Sequence, residues 1–503
     1  MKTILLSTIN ARYVHAALGI RYLAANMGEL RPHTRILEFV SGTRAADIAE
    51  KLLSQEPRVI GLSVYIWNVD ETTRLVAHLK AVAPGVIVVI GGPEVSHEVE
   101  SQRVCALADY VVTGWGDLAF AQLCRAVLAD EAPAVKIIEG GQPPVASIRL
   151  PYAEYTDEDV EKRFLYVEAS RGCPFKCEFC LSSLDRTAWA FNLEPFIREL
   201  EALHSRGARH FRFVDRTFNL NSAVGSRILE FFLDRLDDRL FVHFEVVPDH
   251  LPDRLKLQIA RFPAGSLQFE VGIQTWNEAV QARISRRQDN ARAQANLEWL
   301  RRESKAFVHV DLIAGLPGED LGSFARGFDR LYALEPHEIQ VGLLKRLRGT
   351  PIGRHDGPHG MRYNPDPPYN VLQTDCIGFA DMQRISRFAR FWDLVGNSGR
   401  FRRTLPLLLS SAPFSHFMHF ADWLYASIGR THEIALERLF EHVHRFLTAE
   451  LGVAEVTASR ALLADYSASG ARGALSFAGN ERQVATYDSS RRAALRQVRH
   501  LQN

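Results

Sequence analysis

Glu168-Ala-Ser-Arg-Gly-Cys173-Pro-Phe-Lys-Cys177-Glu-Phe-Cys180 is the stretch on which the reading of this 503-residue chain turns. Its cysteines are spaced C-x3-C-x2-C and directly follow an apolar run, Phe164-Leu-Tyr-Val-Glu-Ala, that predicts a strand. Iron–sulfur clusters are held by cysteine thiolates, four being the usual number. Three thiolates can hold three irons of a [4Fe–4S] cluster and leave the fourth open to a small chelating ligand. A three-cysteine zinc site, or thiols that only pack, are the competing readings. Structural zinc prefers four ligands drawn from paired motifs, and no second pair stands further along the chain.

With an aromatic, Phe179, just before the third cysteine, the motif resembles the signature of the radical S-adenosylmethionine (SAM) superfamily. The resemblance implies that Cys173, Cys177 and Cys180 are the metal ligands and the catalytic centre, with Phe179 beside the cofactor. It further implies that the open iron takes the amino and carboxylate groups of SAM. One electron then splits SAM into methionine and a 5′-deoxyadenosyl radical.

The bulk numbers bound the class. A chain of 503 residues calls for two or three domains. Hydrophobic content of 47% and charged content of 24% are those of a soluble globular protein. A net charge of +1 argues against a general nucleic-acid or membrane-surface binder. Six cysteines in so long a chain do not make a disulfide scaffold, and Cys105, Cys124 and Cys376 read as buried small apolar residues. The N-terminus lacks a signal-peptide core and no apolar run reaches spanning length, so a reduced, cytoplasmic enzyme is expected.

Residues 1–140 alternate apolar strands, at 3–8, 34–39, 59–64, 86–90 and 110–112, with amphipathic helices. That alternation predicts an α/β, flavodoxin- or Rossmann-like parallel sheet, whose ligands bind at the carboxyl ends of the strands. Those ends carry Ser63-Val-Tyr, Gly91-Gly92-Pro-Glu and Thr113-Gly114-Trp-Gly116. Glycines there let a flat ligand approach the backbone. No G-x-G-x-x-G follows the first strand, which disfavours a nicotinamide cofactor. Placed upstream of the cysteine motif, the module resembles the cobalamin-binding domain of cobalamin-dependent radical SAM enzymes. On that resemblance Ser63, Gly91, Gly92, Gly114 and Gly116 line the corrinoid or its nucleotide tail. The D-x-H-x-x-G loop of many cobalamin domains is absent. Its place is taken by Asn10-Ala-Arg-Tyr-Val-His15-Ala-Ala-Leu-Gly, so His15 reads either as a cobalt ligand or as an ordinary histidine at a helix start.

A Gly/Pro-rich connector at 139–145 precedes a second alternation over 150–350, with strands at 164–169, 210–214, 240–246, 267–271, 308–313 and 338–343. Six strand–helix repeats suit a partial (β/α)6 TIM barrel, with reactive groups at the carboxyl ends of the strands. Those ends read Asp215-Arg216-Thr217, Phe244-Glu245-Val, Gly-Ile-Gln274 with Ser-Arg286-Arg beyond it, and Val-Asp311-Leu-Ile-Ala-Gly-Leu-Pro. These stretches resemble the coproporphyrinogen-dehydrogenase-like branch of the superfamily. The resemblance gives Asp215, Arg216 and Thr217 to the segment at the SAM amino group, Glu245 and Gln274 to the ribose, Arg286 to the carboxylate, and Asp311 to a place beside them. A guanidinium pairs with a carboxylate through two parallel bonds, and ribose hydroxyls suit a carboxylate or amide acceptor. Arg287 competes with Arg286 at a shift of one residue.

After a proline-rich connector at 364–369, residues 370–503 read as a helical extension. Arg384, Arg387 and Arg390, with Arg400, Arg402 and Arg403, read either as a solvated or internally paired face or as an anion site. The last stretch, 489–499, reads as a frayed basic tail. The whole predicts a cobalamin-dependent radical SAM methyltransferase acting on an unactivated carbon, fed electrons by a reductase such as flavodoxin or ferredoxin. Radical SAM oxidation, ring contraction or cyclisation without methyl transfer, and a non-catalytic cobalamin-binding sensor or chaperone, are the alternatives.

Overall fold

The computed structural model of the protein describes residues 4–185, 187–471 and 473–478, so Thr3 and the basic stretch 489–499 lie outside the described residues. The chain packs as two compact units. One is Met1–Arg216 with Lys345–Pro351 and Asn364–Asn370; the other is Thr217–Leu344 with Ile352–Tyr363 and Val371–Asn503.

The first unit opens with β1 (Ile4–Asn10), α1 (Leu18–Ala25), β2 (Thr34–Val40), α2 (Ala45–Leu53), β3 (Val59–Ser63), α3 (Val69–Val82), β4 (Ile87–Gly91), α4 (Arg103–Leu107), β5 (Tyr110–Thr113), α5 (Gly116–Leu128) and β6 (Ile137–Glu139). The strands form one parallel sheet in the order β2-β1-β3-β4-β5-β6. Successive side chains of a strand point to opposite faces, and both faces of this sheet are dry. Leu5, Ile9, Ile60 and Leu62 pack with Ile48, Leu75 and Leu79 of α2 and α3. Ile4, Leu6 and Val89 pack with Ile20, Phe120 and Leu123 of α1 and α5. Near-continuous apolar strands are what a sheet covered on both sides requires. The chain order turns back between β1 and β3, which makes the carboxyl edge beside them the expected ligand crevice.

The same unit continues with α6 (Asp157–Lys162), β7 (Leu165–Val167), β8 (Ser170–Gly172), β9 (Ala188–Ala190), α7 (Leu193–Ser205) and β10 (His210–Phe213). β7 pairs in parallel with β10, and β8 with β9 form a small antiparallel hairpin. Thr156 caps α6 through a reciprocal pair of bonds with Asp159.

The second unit carries α8 (Ser222–Leu233), β11 (Phe241–Val246), α9 (Asp253–Ile259), β12 (Leu267–Gln274), α10 (Glu278–Arg283), α11 (Asn290–Glu303), β13 (Phe307–Ala314), α12 (Leu321–Tyr332) and β14 (Glu338–Leu343). Its strands run in parallel, each paired with the next. Alternation is sharp. Phe269, Val271, Val308, Val310 and Leu312 are buried, while Glu270, Gly272, His309 and Asp311 are only half-buried on the other face. The short pair β15 (Arg362–Tyr363) and β16 (Val371–Gln373) follows, and then helices α13 (Phe379–Leu394), α14 (Leu405–Leu409), α15 (Pro413–Ile428), α16 (Leu436–Arg445) and α17 (Glu455–Ala468). Phe388 and Trp392 of α13 meet Phe328 of α12 and Phe417 of α15 in edge-to-face contacts near 5 Å. Asn397 pairs its side-chain amide with both the N–H and the carbonyl of Ile339, at 2.9 Å each, and so satisfies part of the free edge of β14.

Two details depart from the sequence reading. Cys376 is exposed rather than buried, because it sits in a turn whose N–H groups are capped by Thr374 Oγ1. Cys105 and Cys124 are buried as expected. Arg384 and Arg387 face Asp422, and Arg390 faces Asp393, so that helix face is internally paired. Among the described residues no helix is long and apolar enough to cross a membrane.

Candidate active site

The cysteine loop leaves β8 through Gly172, whose φ is +85° and whose missing Cβ would stand 2.4 Å from the Thr187 carbonyl. No other residue fits that closure of the β8–β9 hairpin. Within the loop, the Cys180 N–H donates to the Cys177 carbonyl at 3.1 Å, and Ser183 Oγ donates to the Cys180 carbonyl at 2.6 Å. Lys176 donates to the Ser183 carbonyl and to that of Asp185. None of the three thiols is in a disulfide, and Cys173 senses the other two. Burial pushes the Cys173 thiol up, opposed by the Phe175 N–H; Cys180 and Cys177 push it further, and Arg216 pulls it back. Among the described residues no three His, Cys, Asp or Glu side chains are gathered closely enough to hold a single metal ion. A polynuclear cluster asks instead for thiolates spread around it, one per iron. Phe179 is half-buried in this loop.

Asp215 is buried and turned toward the root of the same loop. Its carboxylate accepts from the Ala169 N–H at 2.9 Å and from Ser170 Oγ at 2.6 Å. Burial raises its pKa to about 7 against those bonds. Arg216 is exposed.

Arg171, two residues ahead of Cys173, is the residue that sequence reasoning missed. Its guanidinium donates to both oxygens of Asp117 at 2.8 and 3.0 Å, and to Glu168 at 2.7 Å. It lies 4.2 Å over the Tyr22 ring. The signal was present as an arginine inside an otherwise small and apolar run, but its partner lies in α5, and sequence spacing says nothing of that contact. Arg171 and Asp117 form one wall of a cleft of about 260 Å³ at the carboxyl ends of β3, β4 and β5. Ser63, Gly91, Gly92, Gly114 and Gly116 all line this cleft. Gly92 has φ of +120°, and a Cβ there would meet the Val64 carbonyl at 2.5 Å. The cleft therefore fits a flat ligand that approaches bare backbone against an apolar floor of Leu62, Ile90 and Val112.

His15 does not line this cleft. Its Nδ1 stands 2.6 Å from the Tyr166 hydroxyl, with the ring stacked near Tyr166 and edge-on to Phe164. Burial, with Arg212 and Arg12, lowers its pKa.

In the second unit, Glu245, Gln274 and Asp311 stand on adjacent strands. Thr217 is buried. Phe218, beside it, stacks on Phe244 at 3.8 Å and donates its N–H to the Glu245 carbonyl. Gln274 sits at a register break of β12 with φ of +66°, a strained setting for a side-chain-bearing residue, and its Oε1 is buried without a partner. Arg286 turns back onto the Gly272 carbonyl and Gln288, whereas Arg287 is exposed. Asp311 lies 3.1 Å from His309, which also lies 3.3 Å from Glu338. Burial alone would lower the pKa of His309, but the bonds to Asp311 and Glu338 raise it to about 10. The imidazolium thus braces Asp311 from below. His243 adds a contact to Glu270 at 3.2 Å. This polar ladder was readable only as alternate polar residues in apolar strands.

Residues 4–124 match the B12 binding domain, residues 167–331 the radical SAM superfamily, and residues 357–502 a protein family of unknown function, DUF4080. The chain is 30% identical over 228 residues to an uncharacterized methyltransferase of Pyrococcus horikoshii, covering 41% of this chain and 49% of that protein. It is 25% identical over 355 residues to 2-(S-pantetheinyl)-carbapenam-3-carboxylate methyltransferase of Streptantibioticus cattleyicolor, covering 62% and 50%. The chain spans about half the length of these curated relatives. Among solved structures, the cobalamin-dependent S-adenosylmethionine radical enzyme OxsB with aqua-cobalamin bound superposes with a TM-score of 0.59 at 12% identity. That match covers 93% of this chain and 75% of that one and is a likeness of fold.

Proposed function

We propose that this chain, which joins a B12-binding domain to a radical SAM domain, is a cobalamin-dependent radical SAM methyltransferase acting on an unactivated carbon. The observation that carries the reading is Arg171. One largely covered side chain, 13% exposed, is both the root of the three-cysteine loop and a wall of the strand-end cleft, which couples the two cofactor sites within a single unit.

When bound, the cluster supplies the electron that splits SAM and cobalamin supplies the methyl group. The chain's own residues hold and orient. Cys173, Cys177 and Cys180 hold the cluster through their thiolates, and Phe179 packs beside it. Asp215 tethers the strand that leads into the loop, next to Arg216 and Thr217. Gln274, with an unpartnered buried oxygen, and Glu245 accept from the SAM ribose; Arg286 faces its carboxylate. Asp311 stands beside them, 3.1 Å from His309. Ser63, Gly91, Gly92, Gly114 and Gly116 hold the corrinoid. The functional divisions are 1–140 for cobalamin, 150–350 for SAM and 370–503 for the helical extension. A flavodoxin- or ferredoxin-type reductase and a reducing, cytoplasmic setting belong to the same reading.

Anaerobic purification with cobalamin supplied, followed by iron, sulfide and corrinoid quantification on one sample, tests it. Roughly four irons and one corrinoid per chain are expected, with iron lost in Cys173→Ala. Iron without corrinoid would remove methyl transfer. Turnover that releases 5′-deoxyadenosine but no S-adenosylhomocysteine would move the chain to radical oxidation or rearrangement.

A further inference from the structure

The turn between α10 and α11 holds Arg286 by its backbone and by its side chain in separate ways. α10 is capped at Ile284, and Ser285 follows in the left-handed region with φ of +55°. The Ser285 N–H donates to the Ala282 carbonyl at 3.2 Å, and the Arg286 N–H to that of Gln281 at 2.8 Å. This double closure is a common stop for an α-helix, but its left-handed position is usually glycine or asparagine. A serine there is a mildly strained choice, of the kind that clusters at functional sites. The closure fixes the Arg286 backbone. It does nothing for the long side chain, which has many rotamers to lose.

Gln288 orders that side chain. Its Oε1 accepts from Arg286 Nε at 3.1 Å and from Nη2 at 2.8 Å, and Nη2 also donates to the Gly272 carbonyl. A guanidinium offers only donors, so the amide oxygen must face it and the amide nitrogen must face away. That nitrogen donates to Asn290 Oδ1 at 3.0 Å. Asn290 is buried; its Oδ1 also accepts from Gln281 at 2.8 Å, and its Nδ2 donates to the Trp276 carbonyl at 3.0 Å. Gln281, buried as well, donates in addition to the Thr275 carbonyl at 2.7 Å. Three side-chain amides therefore run from the Arg286 guanidinium to the two carbonyls just beyond Gln274. The row ties together the two residues read as meeting the SAM carboxylate and ribose. An amide also orients a cation without setting a negative charge beside it, which a carboxylate in the same place would do.

We infer that Gln288 is a positioning residue for SAM binding: its amide oxygen sets the direction of the Arg286 guanidinium in advance, and Asn290 and Gln281 hold Gln288 in turn. The inference rests on the reading of Arg286 as the group that meets the SAM carboxylate. A preset guanidinium removes the cost of ordering a long side chain on binding, and so strengthens affinity through the carboxylate alone.

The test is equilibrium binding of two ligands to the anaerobically reconstituted full chain without reductant. One is SAM; the other is decarboxylated SAM, which keeps the sulfonium, amine and adenosine and lacks only the carboxylate. Gln288→Ala is expected to weaken SAM about tenfold and decarboxylated SAM less than about twofold, with iron content and near-UV circular dichroism unchanged. Gln288→Glu keeps the acceptor but places a carboxylate on Arg286 in competition with that of SAM. It is expected to weaken SAM by at least as much, again sparing the decarboxylated form. Arg286→Gln should lower the preference for SAM over decarboxylated SAM further than Gln288→Ala does. If Arg286→Gln leaves that preference intact, the reading of Arg286 fails and the inference falls with it. If Arg286→Gln lowers it and Gln288→Ala does not, the inference alone is overturned. Equal weakening of both ligands by Gln288→Ala, the mark of a merely structural side chain, overturns it too. Should Gln288→Ala fail to fold, Gln288→Glu, of the same size as the native side chain, decides by the same comparison.

Discussion

Arg171 and Glu319 show how single buried charges govern this protein in opposite ways. Arg171 neutralises Asp117 and Glu168, all three with side chains no more than 13% exposed. Removing it leaves two buried carboxylates uncompensated, and breaking a buried pair from one side costs about 3–5 kcal/mol. Arg171→Gln is expected to lower stability by that order and to reduce retained corrinoid and iron together. Arg171→Lys, without the fork, should recover only part of it; equal urea midpoints for wild type and Arg171→Gln would contradict this. Glu319 has no cation. It is 2% exposed, and Oε1 accepts from Thr275 at 2.6 Å and Ser323 at 3.2 Å, while Oε2 has no partner. Burial raises its pKa to about 7 from an ordinary 4.5. The native state therefore holds this proton more tightly than the unfolded chain does. Stability is full below about pH 4.5 and is lost as pH rises toward 7. Glu319→Gln should match wild type near pH 4.5 and exceed it at pH 8 by up to about 3 kcal/mol. Asp215, with a similar shift, titrates in both proteins and cancels in the difference. Unfolding free energies of the pair at the two pH values decide it, and a gap that ignores pH would refute the account.

Strands were the most legible elements, because fully buried parallel strands are written as apolar runs that few helices imitate. β14 falls on the residues read from sequence, and β3, β4 and β5 end within a residue of their expected limits. The β8–β9 hairpin and the edge strand β6 were not legible. They are three residues long, and their pairing depends on Gly172 and on a neighbouring strand rather than on their own pattern. Glycines of the strand-end cleft were legible as bare backbone, but which of them is obligatory was not. Gly91, with no positive φ, has a Cβ position 3.2 Å from the Val112 carbonyl, whereas Gly92 combines φ of +120° with a 2.5 Å approach to Val64. Gly92→Ala is therefore expected to force the β4–α4 loop outward, costing about 1–2 kcal/mol in backbone strain before any clash. Corrinoid retention should fall at least about tenfold with four irons retained. Gly91→Ala should be the milder change. Equal corrinoid loss in the two would mean that the loop conformation does not set the site.

At the scale of the whole molecule, the stretch 364–369 reads as a proline-rich connector, yet Asn364–Asn370, together with Lys345–Pro351, packs with the first unit. They form a strap. Lys345 bridges Asn370, and the Arg346 N–H donates to the Tyr369 carbonyl at 3.0 Å. The strap is fixed by Glu94, buried just past Gly92, which accepts from Arg348 at 3.0 Å and from the Tyr369 hydroxyl at 2.7 Å. Gly349 lies so close to the His97 ring that a Cβ would stand 2.3 Å from it. Composition marks a segment as free to move, but it cannot report a buried carboxylate more than two hundred residues away in the chain. Glu94→Gln keeps an acceptor for Tyr369 and removes the charge that holds Arg348. Trypsin is then expected to cut after Lys345, Arg346 or Arg348 several-fold faster than in wild type, consistent with a charged hydrogen bond worth about 1.5–3 kcal/mol. Glu98, the second carboxylate on Arg348, is 36% exposed, and exposed pairs contribute little. Glu98→Gln should leave the cleavage rate near that of wild type. Equal acceleration in both variants would place the hold in summed surface charge rather than in Glu94, and the strap would then loosen with salt, whereas a buried anchor beside the cleft keeps its grip as ionic strength rises.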